Sequence, residues 1–371
     1  MRPPRIAYIL LHFPYLTETF VAEEIQAIRQ QGIEVSIISL LGPGPGPAQP
    51  LSQKMLPDVW YAPGVLSREM WRAQFHYVLG SPRGYWGILA QLLRHPYRSR
   101  PLVSMAKRLV IFLRAVAAAN RLRNESTDLL HSHFAWLSGA AAWICSRLLD
   151  MRFTVTTHAH DLYFSNDLLA LVANQADHVV TISDYNRQHL ETKLGHPHGD
   201  ISVIHCGVKL PLIRQKQGVE LPPLTKHAIR ILSVGSLQEK KGHTHLIDAC
   251  QILQRHGIEF RCSIVGAGPA ESALRGQIRE ANLQNRVQLL GARPHPDIVD
   301  SYFEHDIFVL ASVVASSGDM DGIPVVLMEA GAAGLPLVST RVSGIPELVR
   351  HGQTGLLVEP GNAPALADAI A

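Results

Sequence analysis

The chain has 371 residues, of which 47% are hydrophobic and 18% are charged, and its formal net charge is +3. This length and apolar content predict two to three domains with sizeable cores. No stretch reaches about 18 consecutive apolar residues, so no membrane-spanning helix is expected. The first apolar run, IAYILL, is too short for the core of a signal peptide. The four cysteines form no C-x-x-C pair, which argues for reduced thiols in a cytoplasmic protein and against a zinc site built from them.

Strand-like and helical runs alternate in the first half of the chain. RIAYILL is followed by ETFVAEEIQAIRQQG, in which apolar residues recur at helical spacing, and then by IEVSIISL. This order predicts a β-α-β unit, the crossover that parallel sheets require. A surface loop is predicted at 42–50, and further strands are predicted at 128–134, 152–158, 176–183 and 201–207.

Residues 65–124 combine eleven lysines and arginines with a single acid, Glu69, and they interleave seven aromatic residues. This composition is typical of a helical surface that lies on an anionic membrane. Arginines and aromatic residues also bind nucleic acid strands, and an ordinary amphipathic insertion with solvated arginines has the same composition. We expect contact with the membrane surface and no nucleic-acid partner.

The composition becomes polar and proline-containing at 209–228, which predicts an interdomain linker. The β-α alternation then restarts with the strand-like runs IRILSVG, FRCSIVG, RVQLLG, DIFVLAS and LPLVST. The intervening helices are predicted at 243–256, 270–281, 296–304 and 324–333. Two Rossmann-like halves in tandem predict a ligand in a cleft between them, at the carboxyl ends of the strands.

The stretch DGIPVVLMEAGAAGLP places two carboxylates around a predicted helix start. Pro324 suits the first turn of that helix, so Asp321 precedes it and Glu329 lies just over one turn inside. The free backbone N–H groups at such a start attract anions, whereas carboxylates accept hydrogen bonds from hydroxyls. The pattern fits a ligand that carries both phosphate and sugar hydroxyls. A surface acid before an ordinary helix is the alternative.

Other motifs are weaker. Lys240 and Lys241 follow the first strand of the second half, where a lysine can meet a phosphate. VGAGPAESAL has an acid at the third glycine position of a dinucleotide fingerprint, so a nicotinamide site is weakly supported. Alternation predicts that His131 and His133 share one face, as do His158 and His160. A four-histidine metal site is conceivable, but polar histidines lining a cleft are the commoner outcome.

Taken together, these residues resemble the retaining family 4 glycosyltransferases with the GT-B fold, of the colanic acid and amylovoran exopolysaccharide type. The resemblance spans nearly the whole chain and is strongest at 318–362. FPYLTETFVAEEI, HAHDLY, TISDYNRQHL and VIHCGV add to it in the first half. It implies an α/β structure in which two Rossmann-like domains face each other across a cleft. An acceptor-binding domain is expected at 1–208, and a nucleotide-sugar donor domain at 229–371.

The resemblance also implies the roles of single residues. His158 and Asp321 are expected beside the donor sugar and the reacting carbon, and Lys241 is expected to neutralise the diphosphate. Glu329 is expected to bind the ribose hydroxyls. Backbone groups are expected to hold the donor at Gly322, Ile323, Pro324 and Val325, and the turn that ends at Arg293 is expected to meet the base. The acceptor is expected to face Pro14, Thr17 and Glu18.

The implied reaction moves a hexose from UDP- or GDP-hexose to a lipid-linked saccharide, with retention at the anomeric carbon. No metal and no cofactor are implied, because Lys241 and oriented dipoles meet the charge of the leaving group. The expected location is the cytoplasmic side of the cell membrane, where the protein is peripheral. Two alternatives are a nucleotide-sugar epimerase of the same architecture and a non-catalytic nucleotide-sugar-binding protein.

Three positions depart from the family pattern. Asp321 stands where the family has a longer glutamate, and Ser236 stands where it usually has an arginine that binds the diphosphate, which predicts a more isolated Lys241. Lys240 and Arg341 are the residues available to compensate. The chain also stops at Ala371 inside a predicted helix, short of the last helix that GT-B enzymes normally pack against the first domain.

Overall fold

The computed structural model describes residues 2–15, 18–44, 49–97, 101–163, 167–195, 201–208 and 228–371. The chain divides into two compact units. The first unit comprises Met1–Ile182 and Arg187–Ile204, and the second comprises Ser183–Asn186 and His205–Ala371. The linker expected at 209–228 lies outside the described residues except for Ala228.

The first unit is built on a seven-stranded sheet with the order β3-β2-β1-β4-β5-β6-β7, in which all pairs of neighbours are parallel. The first three strands extend the sheet to one side of β1, and the strands from β4 onward extend it to the other side, as in doubly wound folds. The strands are β1 Arg5–Leu10, β2 Glu34–Ser39, β3 Val59–Tyr61, β4 Leu129–His133, β5 Phe153–Thr157, β6 His178–Thr181 and β7 Ile201–Val203. The helices are α1 Thr19–Gln30, α2 Pro50–Met55, α3 Arg68–Gly80, α4 Pro82–Arg94, α5 Pro101–Leu122, α6 Leu137–Leu149, α7 Ala159–Tyr163, α8 Leu169–Gln175 and α9 Asp184–Leu194.

The second unit has a six-stranded parallel sheet with the order β10-β9-β8-β11-β12-β13. Its strands are β8 Ile229–Val234, β9 Phe260–Val265, β10 Val287–Leu289, β11 Ile307–Leu310, β12 Leu337–Thr340 and β13 Gly355–Val358. Its helices are α10 His243–Arg255, α11 Glu271–Glu280, α12 His295–Glu304, α13 Val325–Ala332, α14 Ile345–Leu348 and α15 Ala363–Ile370. The four helices predicted in this half are therefore confirmed to within one residue at each end.

Parallel strands are covered on both faces, and this is why their sequences are nearly continuous apolar runs. All four residues of Ile307–Leu310 are buried, for example. Apolar clusters lie on the two sides of each sheet, with Ile231 and Val309 in one cluster of the second unit and Leu232 and Leu310 in the other. The predicted α/β fold class, with two Rossmann-like domains, is confirmed.

Helices α3 to α5 form the insertion that the composition singled out. Part of it is core rather than surface, because Tyr85 and Phe112 are buried against each other. Arg108 is also buried, and its guanidinium donates hydrogen bonds to the carbonyls of Leu92, His95 and Pro96. The interpretation of the whole stretch as a basic-aromatic surface is therefore wrong for these residues. Large apolar side chains do remain exposed on α3 and α4, at Trp71, Phe75, Leu79 and Trp86.

In the part of the chain that the structure describes, no helix combines the length and the apolarity needed to cross a bilayer.

Candidate active site

The second unit places Lys241 beside Asp321. Lys241 closes a short 3-10 turn after β8, and Gly242 follows with a positive φ of 64°. A Cβ at Gly242 would lie 1.7 Å from the carbonyl oxygen of Ala311, so the loop can approach the end of β11 only with glycine here. The Lys241 Nζ lies 2.9 Å from Asp321 Oδ1, and Ser312 Oγ donates to Oδ2 at 3.2 Å.

Both lysines of the loop have acidic partners. The Lys240 Nζ lies 3.0 Å from Asp319 Oδ2, while the Lys241–Asp321 pair is largely shielded, with side-chain exposures of 14% and 10%. The predicted isolation of Lys241 concerns a second cation at the diphosphate, and it stays a prediction. The two residues available to compensate each have an acidic partner, since Lys240 pairs with Asp319 and Arg341 pairs with Glu359 at 3.4 Å.

Helix α13 positions Glu329. Pro324 has an extended backbone conformation and is the N-cap of the helix. Val325 is the first helical residue, so Glu329 lies one turn further on. The Tyr302 hydroxyl donates to Glu329 Oε2 at 2.8 Å, and His295 Nε2 lies 2.7 Å from Oε1. Burial and the nearby Glu329 charge raise the pKa of Tyr302, which keeps it a hydrogen-bond donor. Sequence reasoning missed both partners, which lie on α12.

The start of α13 also presents backbone donors. In the described part of the chain, no hydrogen bond is formed by the N–H groups of Gly322, Ile323 or Val325. Such groups, aligned at a helix N-terminus, are suited to hold anionic oxygens. Arg293 is exposed on the loop after β10. No contact within the described ranges joins it to Lys241 or Glu329.

His243 is a further polar group of this loop that sequence reasoning did not single out. It is the first residue of α10 and is only 2% exposed. Burial, and then the charge of Lys241, lower its pKa to about 4. A neutral imidazole therefore lies beneath the lysine loop at neutral pH.

The first unit gathers a second polar cluster at the carboxyl ends of β1, β4 and β5. Glu24 Oε1 accepts a hydrogen bond from the Tyr8 hydroxyl at 2.6 Å and lies 3.2 Å from His133 Nε2. His133 Nδ1 lies 3.0 Å from His158 Nε2. Burial alone would raise the pKa of Glu24, but the bonds and charge of His133, with the bond from Tyr8, lower it to about 2. Glu24 is therefore a carboxylate at neutral pH.

These contacts fix one proton of the cluster. A Glu24 carboxylate can only accept, so His133 donates from Nε2. Burial lowers the pKa of His158 well below its usual range, which favours the neutral ring. His133 Nδ1 and His158 Nε2 share one hydrogen bond, in which one of the two nitrogens carries the proton. Asp161 fixes the backbone here, because its carboxylate accepts from the N–H of His158 at 2.7 Å and of Ala135 at 2.6 Å.

His160 does not join this cluster. Strand β5 ends at Thr157 and α7 begins at Ala159, so the two-residue alternation stops before His160. The prediction that His158 and His160 share one face is therefore wrong. Among the residues that the structure describes, the group that could hold a metal consists of Glu24, His131 and His133, whose ligand atoms lie within 4.8 Å of one another. The sequence analysis did not predict that Glu24, on α1, belongs to this group.

The predicted acceptor side is described in part. Pro14 is buried, and its carbonyl accepts from Gly44 N–H at 2.8 Å. Glu18 precedes α1, and burial raises the pKa of its carboxyl to about 7. Thr17 lies outside the described residues.

Comparison with known proteins identifies the family. A family model described as Glycosyltransferase Family 4 matches residues 17–211, and one described as Glycosyl transferases group 1 matches residues 222–371. The chain belongs to glycosyltransferase family 4. This glycosyltransferase is 31% identical to the amylovoran biosynthesis glycosyltransferase AmsK of Erwinia amylovora, over 98% of its own length and 89% of AmsK. It is 30% identical to WcaL of Escherichia coli (strain K12), which is named for colanic acid biosynthesis, over 99% of this chain and 90% of WcaL.

Solved structures are similar to the enzyme in fold. A glycosyltransferase from Rickettsia africae ESF-5 aligns with a TM-score of 0.70 and 19% identity, covering 100% of this chain and 88% of that one. Anabaena HepE in complex with UDP aligns with a TM-score of 0.67 and 17% identity, covering 99% and 88%. The family expected from the sequence motifs and the fold that it implies are thus confirmed.

Proposed function

We propose that the enzyme transfers a hexose from a nucleoside diphosphate hexose, with UDP or GDP as the nucleotide, to a lipid-linked saccharide. The observation that carries this proposal is the arrangement around the start of α13. The Lys241 ammonium meets the Asp321 carboxylate before this helix, Glu329 lies one turn inside it, and three backbone N–H groups at its start form no hydrogen bond within the described residues. This combination suits a ligand with phosphate oxygens at one end and hydroxyls at the other.

Each side chain has a distinct task in this proposal. When the donor binds, Lys241 leaves its ion pair with Asp321 and pairs with the diphosphate. Asp321 then accepts a hydrogen bond from a hydroxyl of the donor sugar. Glu329 accepts hydrogen bonds from the ribose, while Tyr302 and His295 hold its carboxylate in place. The resemblance to the family assigns His158 a role at the reacting carbon.

The reaction is proposed to need no metal ion and to retain the anomeric configuration. Negative charge develops on the leaving diphosphate. The Lys241 ammonium and the backbone N–H dipoles before α13 would stabilise this charge. Tyr302 and His295 contact the Glu329 carboxylate, and Ser312 still donates to Asp321 after Lys241 has paired with the diphosphate. This supports a binding role for both carboxylates rather than an attack on the sugar. We therefore propose front-face transfer without a covalent sugar–enzyme intermediate.

The acceptor is proposed to belong to surface polysaccharide synthesis. AmsK and WcaL, which match nearly the whole chain, are named for amylovoran and colanic acid biosynthesis. An exposed apolar stripe at Trp71, Phe75 and Leu79 recurs every fourth residue on α3. Arg68 and Arg72 are exposed beside it. Such a face suits a peripheral position on the inner surface of the cell membrane, where a lipid-linked saccharide is available.

A transfer assay tests the proposal. UDP- and GDP-hexoses with a labelled sugar are incubated with the enzyme, EDTA and a lipid extract from a bacterium that makes such a polysaccharide. Label is expected in the organic phase with the wild type but not with Glu329→Gln, and the proton NMR coupling at the new linkage should show the donor's anomeric configuration. Nucleotide binding without any transfer would instead favour the non-catalytic alternative.

A further inference from the structure

A groove of about 720 Å³ lies in the first unit, beside the polar cluster. Leu11 and His12 follow β1 and line one part of it, Leu41 follows β2, and Trp136 follows β4. The groove is therefore at the carboxyl edge of the parallel sheet, the edge at which α/β folds bind ligands. Helix α5 supplies its other wall.

The face of α5 in this wall is apolar and accessible. Leu102, Ala106 and Val110 line the groove at intervals of four residues and so form one ridge of the helix. Leu102 is 75% exposed, and Val103 beside it is 50% exposed. Apolar side chains grouped in this way on a helix whose C-terminal half is packed in the core indicate a binding surface. The width of one helix face suits a hydrocarbon chain.

The groove carries a single lysine. The Lys107 Nζ lies 5.5 Å from the centre of the Trp136 ring, and both residues line the groove. None of its described lining residues has a carboxylate. A ligand that complements this surface has a long apolar part and one anionic group.

The lysine end of the groove lies near His158 along the chain turn that follows β4. Trp136 lines the groove, and Phe134, two residues earlier, has its ring 4.7 Å from that of His158. The turn that carries both aromatic residues is fixed by the bond from Ala135 N–H to Asp161. A chain lying along α5 would thus bring its anionic end toward His158.

We propose that this groove holds the hydrocarbon chain of the acceptor lipid, with Lys107 at its phosphate. The identity of the ligand as the acceptor rests on the proposed function, whereas binding of the amphiphile does not. Met105 and Leu109, which are 38% and 36% exposed, lie on a neighbouring face of α5 outside the groove. In this proposal that face contacts the bilayer, while the groove face of the same helix binds the acceptor lipid.

Titration with farnesyl phosphate, below its aggregation concentration, tests the proposal without knowledge of the natural acceptor. Farnesol and inorganic phosphate serve as partial ligands, and both are expected to bind more weakly than farnesyl phosphate. Ala106→Asp should weaken binding at least about tenfold, because it puts a carboxylate in the apolar path. Met105→Asp, on the same helix but outside the groove, should change the Kd by less than about twofold. Lys107→Gln should remove the preference for farnesyl phosphate over farnesol.

Three outcomes would overturn the proposal. The first is the absence of farnesyl phosphate binding by the wild type. The second is an equal loss of affinity in Ala106→Asp and Met105→Asp, which would mean that α5 only contacts a bilayer or micelle. The third is a change of oligomeric state in Ala106→Asp with unchanged lipid binding, which would mean that a second copy covers the groove. Titration of UDP and GDP on the same samples reports on the second unit, so failure of the groove and failure of the proposed function are told apart.

Discussion

The Lys241 ammonium lies 2.9 Å from Asp321 Oδ1 and 2.8 Å from Oδ2, although the two residues are 80 positions apart in the chain. The pair joins the loop after β8 to the segment before α13. In this state the positive charge proposed for the diphosphate is engaged by a carboxylate. Donor binding therefore has to replace one ion pair with another, and the acid competes with the phosphate.

Replacement of Asp321 by asparagine should separate nucleotide binding from transfer. Lys241 would lose its charged partner, so affinity for UDP or GDP should hold or rise by up to about tenfold. Transfer should fall because the donor sugar loses its acceptor group. Calorimetry and the transfer assay measure the two effects, and loss of nucleotide affinity in Asp321→Asn would contradict the assigned competition.

Lys241→Gln should reduce kcat by about 10² to 10³, the range found when one group that stabilises a developing oxyanion is removed. Lys240→Gln is the matched control. It removes the adjacent positive charge and the ion pair with Asp319, but it leaves the contact between Lys241 and Asp321 in place. We expect that control to stay within about fivefold of the wild type, because Lys241 and Asp321 both remain in place. Equal losses in both variants would point to a general electrostatic effect.

Tyr302→Phe should weaken nucleotide binding by about five- to tenfold, because Glu329 Oε2 loses a hydrogen bond worth about 1 kcal/mol. The effect is expected only for ligands with ribose hydroxyls. A 2′,3′-dideoxynucleotide should bind the wild type and Tyr302→Phe equally, and calorimetry with both ligands checks this. A similar loss for the dideoxy ligand would show that Tyr302 matters to the fold of the site rather than to the ribose contact.

Glu24→Gln should change the proton position in the His133–His158 hydrogen bond, although Glu24 does not contact His158. The Glu24 carboxylate makes His133 Nε2 a donor, whereas an amide can donate to this nitrogen as well as accept from it. We expect kcat to fall by about ten- to a hundredfold, with an unchanged KM for the donor. Nitrogen-15 NMR of the histidine rings is the decisive measurement, and an unaltered His158 tautomer in the variant would refute this positioning role.

The enzyme should lose stability as the pH falls from about 6.5 to 4. In the unfolded chain, histidines take up protons near pH 6.5, whereas burial lowers the folded-state pKa of His243 to about 4 and of His131 to about 3. Between these values the unfolded state binds more protons, so the free energy of unfolding decreases. Protonation of His243 alone accounts for about 2 kcal/mol at pH 5. Urea titrations at pH 7 and 5 should show a smaller decrease for His243→Gln, and an identical decrease would contradict this assignment.

The local pattern of the sequence predicted much of the second unit. The helix with Glu329 and the loop with Lys241 were expected because apolar periodicity, proline and glycine act over a few residues. The partners of these residues could not be predicted in the same way. Tyr302 reaches Glu329 only because of how α12 packs near α13, and Asp321 meets Lys241 across 80 residues.

The first unit shows the same division. His131 and His133 were expected to share a face, since strand alternation fixes it. Glu24 belongs to a helix that ends far from β4 in sequence, and only the sheet order brings it to His133. The composition gave a wrong prediction for Arg108, because a charge count does not distinguish a solvated arginine from a buried one that donates to three backbone carbonyls.

The most direct measurement is calorimetric titration of UDP, GDP, ADP and their hexose conjugates, with EDTA present, into the wild type and Glu329→Ala. The account predicts that one nucleotide series binds the wild type and that its affinity falls at least about a hundredfold in the variant, because the ribose loses a carboxylate partner. His351→Ala, a substitution remote from the α13 start in sequence, serves as a folding control and should bind normally. No binding of any of these nucleotides by the wild type, or equal binding by Glu329→Ala, would contradict a nucleotide-sugar site at the start of α13.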